Sequence, residues 1–195
     1  MSASENTRPE KGKSLLCATR DFVAVDLETT GLSTEYDDII EIGAVRYRDG
    51  TPVATYAQLV NPGHDVDDFI TELTGITNEM LEGQPPIGDV LPGFMDFLAD
   101  DIVIGHNVNC DINFLYDNCQ NCGIKPISND FIDTLRVSRR MLPDLENHKM
   151  DTVAEALQLP GRDLHRAAGD AVIAAKIYLE LLQRPGFEAA MESNR

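Results

Sequence analysis

At 195 residues, with 43% apolar and 25% charged residues, the chain has the composition of one globular domain with a sizeable core. Its net charge of −17 argues against a protein that grips nucleic acid through phosphate neutralisation alone. No apolar run approaches the ~20 residues that span a bilayer, and SLLCA is too short for a signal-peptide core, so a cytoplasmic protein with no membrane partner is expected. Four cysteines (Cys17, Cys110, Cys119, Cys122) are too few and too unevenly placed for a disulfide framework.

Residues 1–19 lack apolar periodicity and are expected to form a disordered or loosely held arm. The folded domain is expected over residues 20–183. Residues 22–25 are wholly apolar, which suits a central strand buried on both faces. Two further strands follow at 39–47 and 53–60, joined by Asp49-Gly50, a pair that tolerates the positive φ of a tight hairpin turn. Helical pieces are expected at 78–81 and 87–98, the second preceded by Pro85-Pro86. A short strand at 102–104 leads into a helix over 108–122, and a fifth strand is expected near 131–134. Helices at 136–141, 150–157 and 168–182 complete the pattern, the last with an apolar stripe of Val172, Ala175, Leu179 and Leu182. Residues 184–195 read as a polar tail. Strands first, then strand–helix alternation, predicts an α/β domain with a mixed five-stranded sheet flanked by helices.

Four carboxylates and a histidine stand beside these apolar segments. Asp26 and Glu28 are two apart on the first strand, so their side chains leave the same face. Two carboxylates in an apolar setting are costly unless cations neutralise them, and hard divalent ions take oxygen ligands. Thr29-Thr30-Gly31 follows as a tight turn able to offer backbone N–H groups to a sugar or phosphate. Asp111 lies one turn into the helix after the 102–104 strand, where open α/β folds gather ligands. His106-Asn107 just before it fits either a substrate contact or a helix cap. Asp170 sits among small residues at the start of the last helix, and His165 precedes it. Imidazole is the usual group for taking a proton from water near neutral pH.

The order and context of these segments resemble the DEDDh class of 3′–5′ exonucleases, which includes proofreading exonucleases of bacterial DNA polymerase III. Its motif D-x-E-T-T-G stands at 26–31, H-N-x-x-F-D at 106–111 and H-R-A-x-x-D-A at 165–171, while Leu73-Thr74-Gly75-Ile76-Thr77 is similar to the H-G-I-T stretch. The resemblance implies a ribonuclease H-like fold in which Asp26, Glu28, Asp111 and Asp170 hold two Mg²⁺ or Mn²⁺ ions and His165 is the catalytic base. It implies substrate contacts at Thr29, Thr30, Leu32, Ile76, His106 and Asn107. The implied partner is nucleic acid with a free 3′ end, single-stranded DNA favoured, with a polymerase as a further partner. Two positions depart from the family pattern, Cys110 in place of Phe and Thr74 in place of His.

Other readings carry less. An RNA-trimming or oligoribonucleotide-degrading enzyme of the same class would use the same five residues. A non-catalytic nucleic-acid-binding or polymerase accessory protein would leave them without a task. Cys119 and Cys122 fall on one helical stripe with Ile112 and Leu115, which fits core packing better than half a zinc site. Between Arg136 and Arg166 six bases meet five acids, so this stretch is near +1 in a chain of −17. It is the favoured place for a phosphate backbone, or else a set of solvated helix faces.

Overall fold

The computed structural model describes residues 8–159 and 166–192. The strands are β1 (Phe22–Thr29), β2 (Ile39–Arg48), β3 (Thr51–Leu59), β4 (Val103–Gly105) and β5 (Phe131–Asp133). The helices are α1 (Asp68–Thr74), α2 (Asn78–Leu81), α3 (Ile87–Leu98), α4 (Asn109–Asn121), α5 (Thr134–Met141), α6 (Met150–Ala156), α7 (Ala167–Leu182) and α8 (Phe187–Glu192). The sheet order is β3-β2-β1-β4-β5, antiparallel on the β1–β2–β3 side and parallel from β1 to β5. This is the expected mixed sheet of five strands with β1 at its centre. Asp49 and Gly50 turn the β2–β3 hairpin with φ of +49° and +72°, the left-handed backbone that such a turn requires.

Alternation along β1 divides the interior into two cores. Val23, Val25 and Leu27 pack with α3 and α4, through Leu91, Phe94, Ile112 and Leu115. Phe22 and Ala24 pack on the opposite face with α7, through Ala171, Ala175 and Tyr178. Phe22 stacks on Tyr47 with ring centroids 4.9 Å apart and meets Tyr178 edge-on at 5.7 Å. A strand apolar on both faces is thereby explained by helices on both sides.

Two helices lie outside the expected set. α1 is capped by the Asp67 side chain, which accepts from the Ile70 N–H, and closed by Gly75 at φ +71°. α8 occupies the stretch read as a polar tail, because Phe187 and Met191, four apart, are buried in the core on the α7 side of the sheet. Phe187 stands edge-on to Tyr178 of α7, and the helix packs on α5. Cys119 is buried as expected, whereas Cys122 ends its helix exposed.

The first segment also differs from a loose arm wherever it is described. Phe131 donates its N–H to the Lys13 carbonyl (2.9 Å) and accepts at its own carbonyl from the Leu15 N–H (2.7 Å). The chain thus adds to the exposed edge of β5, where unpaired backbone groups invite a partner. Further on, the Tyr178 hydroxyl donates to the Cys17 carbonyl (2.9 Å) and accepts from the Thr19 N–H (3.0 Å). Arg8 reaches α4 at the other end, donating from Nε and Nη2 to the two Asp117 oxygens at 2.7 and 2.5 Å. Its Nη2 also lies 3.2 Å from the Thr34 hydroxyl, in the loop that follows β1.

Both partners of the Arg8–Asp117 pair are largely shielded, at 15% and 13% exposed. Arg8→Ala is expected to cost about 1–2 kcal/mol, because it strands the Asp117 carboxylate. For a chain of this size that corresponds to a fall in Tm of roughly 2–8 °C. An unchanged calorimetric Tm would show that the segment is not held.

Candidate active site

The even positions of β1 set the geometry. Phe22 and Ala24 face α7, and Asp26 and Glu28 continue the same alternation beyond the apolar part of the strand. Across the antiparallel pair, Asp26 lies opposite Gly43 and Glu28 opposite Glu41. Residues directly opposite share a face, so all of these positions lie beneath the start of α7.

Gly43 is what lets α7 come down there. A Cβ at this position would run into the backbone of Ala167 and Ala168. Glu41, only 3% exposed, then fixes the helix start. Its carboxylate accepts from Arg166 Nε at 3.1 and 3.0 Å, from Arg166 Nη2 at 2.6 Å and from the Ala167 N–H at 3.0 Å. The Glu41 carboxylate in turn raises the Arg166 pKa further. A buried acid with this many donors is compensated rather than strained.

With α7 so placed, Asp170 meets β1. Carboxylate oxygens of Asp26, Glu28 and Asp170 lie within 4.8 Å of one another, and Asp170 is 3% exposed. Three acids at this spacing repel in a partly dry setting unless positive charge joins them. An all-oxygen, anionic donor set fits a hard divalent cation, and the residues present suit such an ion.

Asp111, in the first turn of α4, approaches β1 from the side. β4 stops at Gly105, and the Asp111 Oδ1 accepts from the Leu27 N–H at 3.1 Å, where a longer β4 would have offered a carbonyl. Burial pushes its carboxyl up to about 7 against the pull of N–H groups of Asp111 and Leu27, with Asp133 adding to the rise. Asp111 therefore lies against the backbone between Asp26 and Glu28, though it is not one of the three carboxylates within 4.8 Å. His165, read as the base, lies outside the described residues.

The residues read as substrate contacts divide. Thr29 and Thr30 spend their hydroxyls locally, on the Gly31 carbonyl (2.6 Å) and the Asp38 N–H (2.9 Å), which closes the loop over 30–38. Leu32 stands 89% exposed on that loop. Asn107 is exposed at φ +61°, with its N–H donated to Asp133 Oδ1 (2.8 Å). His106 is instead a strut. Its Nδ1 lies 2.9 Å from the Thr134 hydroxyl and its Nε2 2.8 Å from the His148 carbonyl, and burial lowers its pKa. Ile76 is fully buried with Ile40, Val66 and Ile70. Thr74 is buried too, its hydroxyl donating to the Ile70 carbonyl and accepting from the Ile76 N–H. Sequence reasoning missed Glu41 and Gly43. The available signal was an acid and a glycine inside the apolar run IIEIGAV.

A family model for exonucleases, RNase T, matches residues 23–178. The PolC-type DNA polymerase III of Caldanaerobacter subterraneus subsp. tengcongensis is 39% identical over 186 residues, covering 94% of this chain and 13% of that protein. The DNA polymerase III subunit epsilon of Aquifex aeolicus is 37% identical over 167 residues, covering 86% of this chain and 83% of the relative. Exonuclease X in complex with 5′ overhanging duplex DNA superposes with a TM-score of 0.69 at 24% identity, covering 85% of this chain and 93% of that one. The chain thus spans only about an eighth of the PolC-type relative but most of the epsilon relative.

Two outcomes are expected from the acidic cluster. Mn²⁺ at a hundredfold above its Kd should raise stability by about 2.7 kcal/mol through mass action. Asp170→Asn should remove most of that increment while the metal-free protein keeps its Tm, because the substitution relieves like-charge crowding. A metal-induced rise that survives Asp170→Asn would place the ion elsewhere. Gly43→Ala should lower Tm and abolish the increment together, since α7 is displaced, as thermal melts with and without EDTA would record.

Proposed function

The chain belongs to the RNase T family of exonucleases, and from that membership we propose that it removes nucleotides stepwise from a free 3′ end. The products are a nucleoside 5′-monophosphate and a strand one nucleotide shorter with a new 3′ hydroxyl. The observation that carries this reading is the convergence of Asp26, Glu28 and Asp170 at the C-terminal end of the central strand.

Exonucleases of this class use divalent metal ions. In our reading two ions, Mg²⁺ or Mn²⁺, are held by Asp26, Glu28, Asp111 and Asp170. Such ions lower the pKa of water and stabilise the charge that develops on the phosphate. The chain's own groups do the rest. His165 accepts a proton from the attacking water, whose oxygen forms a bond to phosphorus as the bond to the 3′ oxygen of the penultimate nucleotide breaks. That 3′ oxygen takes a proton from solvent to become the new 3′ hydroxyl. The 30–38 loop, closed by the Thr30–Asp38 hydrogen bonds, holds Leu32 out for apolar contact with the terminal nucleotide. Asn107 offers an exposed amide at the start of α4.

DNA is the favoured substrate, because both relatives described above are named as DNA polymerase III proteins. A polymerase partner belongs to the same reading. A site that takes only the last few nucleotides also accommodates the acidity of the chain, since bound cations supply charge where the phosphate sits.

Incubation of 5′-labelled single-stranded DNA, duplex DNA and RNA with Mg²⁺ or Mn²⁺ tests the proposal. A ladder shortening from the 3′ end is expected, fastest on single-stranded DNA and abolished by EDTA or Asp111→Ala. His165→Ala should lower kcat by ~10²–10⁴ while leaving the metal-induced Tm shift in place. Endonucleolytic fragments, or cleavage that survives EDTA, would refute the mechanism.

A further inference from the structure

The chain carries 33 acidic residues against 16 Lys and Arg, and its polar cavities reflect this. One is lined by Asp65, Glu79 and Glu82, another by Asp100 and Asp130. A third, of about 480 Å³, is of the opposite character. His106, Asn107, Arg139, Asn147, His148 and Lys149 line it, and no acid is among its lining residues. Arg139 belongs to the last turn of α5, and Lys149 immediately precedes α6. Neither makes a salt bridge among the described residues, whereas Arg8, Arg46, Arg48 and Arg166 each do.

Its position in the fold gives this cavity meaning. β4 runs parallel to β1 with Ala24 level with Ile104. Gly105 and the His106-Asn107 step therefore end at the same edge of the sheet as Asp26 and Glu28, one strand to the side. His106 ties that edge to the wall of the cavity through the Thr134 hydroxyl and the His148 carbonyl. Asp133, beside this junction, has one oxygen engaged by the N–H groups of Asn107 and Leu135. A cationic cavity beside an anionic cluster, in a strongly acidic chain, is a local focus of positive potential.

We propose that this cavity binds a backbone phosphate of the substrate strand, upstream of the bond that is cut, through Arg139 and Lys149. The proposal rests on the exonuclease reading above and adds a second anchor to it. The ions at the acidic cluster take the scissile phosphate. The cavity takes a phosphate further toward the 5′ side and sets the direction in which the strand leaves. Arg supplies a planar fork for phosphate oxygens and Lys a mobile point charge, so the site reads backbone and not base. The cavity is then a foothold for the strand on an otherwise repellent surface.

Substrate length separates this anchor from the chemistry. Thymidine 5′-monophosphate p-nitrophenyl ester and the dinucleotide dTpdT each hold one phosphodiester and no upstream phosphate, whereas dT10 holds several. Arg139→Ala and Lys149→Ala should each raise KM for dT10 about tenfold with kcat kept, and leave both short substrates unaffected. For the double variant, the slope of log KM against log salt on dT10 should shrink by about 0.7, the loss of one neutralised phosphate on a single strand. Arg139→Lys should recover part of the loss. The shortest oligonucleotide to show the defect counts the nucleotides between the two anchors.

Unchanged KM and salt slope on dT10 would overturn the proposal. So would equal losses on the ester and on dT10, which would mean the substitutions disturb the acidic cluster itself. If the wild-type protein cleaves no substrate, the exonuclease reading falls independently. Fluorescence anisotropy of labelled dT10 in EDTA then decides the cavity on binding alone, with retained affinity in the double variant counting against it.

Discussion

The acidic end of the sheet depends on how closely one helix can approach one strand. α7 reaches β2 because Gly43 offers no Cβ to its first residues. It stays there because the buried Glu41 collects Arg166 and the Ala167 N–H. Neither residue belongs to the carboxylate trio. Yet the distance from Asp170 to Asp26 and Glu28 is set by this contact, since all four turns of α7 follow from where it begins. A small residue and a compensated buried charge together locate a site that a larger or unpaired residue would disperse.

Charge is handled differently at each acid. Glu41 is neutralised within the protein by a guanidinium. Asp111 has the Leu27 N–H, which lacks a strand partner because β4 is short. The trio of Asp26, Glu28 and Asp170 crowds three carboxylates together, and an arrangement of that kind is suited to an external cation. The fold thus spends its own cations on structure at Arg8, Arg46, Arg48 and Arg166. Arg139 and Lys149 stand outside those pairs, around a cavity with no acid in its lining.

The same division appears in packing. Apolar residues on both faces of β1 bury it between α3–α4 and α7, which leaves only its C-terminal end for polar chemistry. Parallel β4 brings the His106-Asn107 step to that end, and the hydrogen bonds of His106 hold it to the α5–α6 connection. The 30–38 loop is held from two sides, by Thr30 against Asp38 and by Arg8 against Thr34. Parts far apart in sequence therefore share one edge through ordinary strand alternation and short loops.

Much of this was legible in the order of residues. The two-residue spacing of Asp26 and Glu28 and the Asp49-Gly50 turn are local patterns, and each acts through its immediate neighbours. The buried face of α7, by contrast, carries Ala171, Ala174, Tyr178 and Leu181, one position before the expected stripe, of which only Ala175 is fully buried. The grasp of the first segment was not legible, because Arg8 and Asp117 are 109 positions apart and no periodicity links them. The burial of Ile76 and the engagement of the His106 ring within the protein were not legible either, because the partners of each come from other segments. Glu41 belongs to no motif, and its place follows only from the register, which puts it opposite Glu28. Sequence alone determined which groups could do chemistry and on which strand faces they stand, since side-chain direction follows backbone period. Only the tertiary structure decided which of them meet, because that depends on how near two backbones can come, a property of the pair and of neither segment by itself.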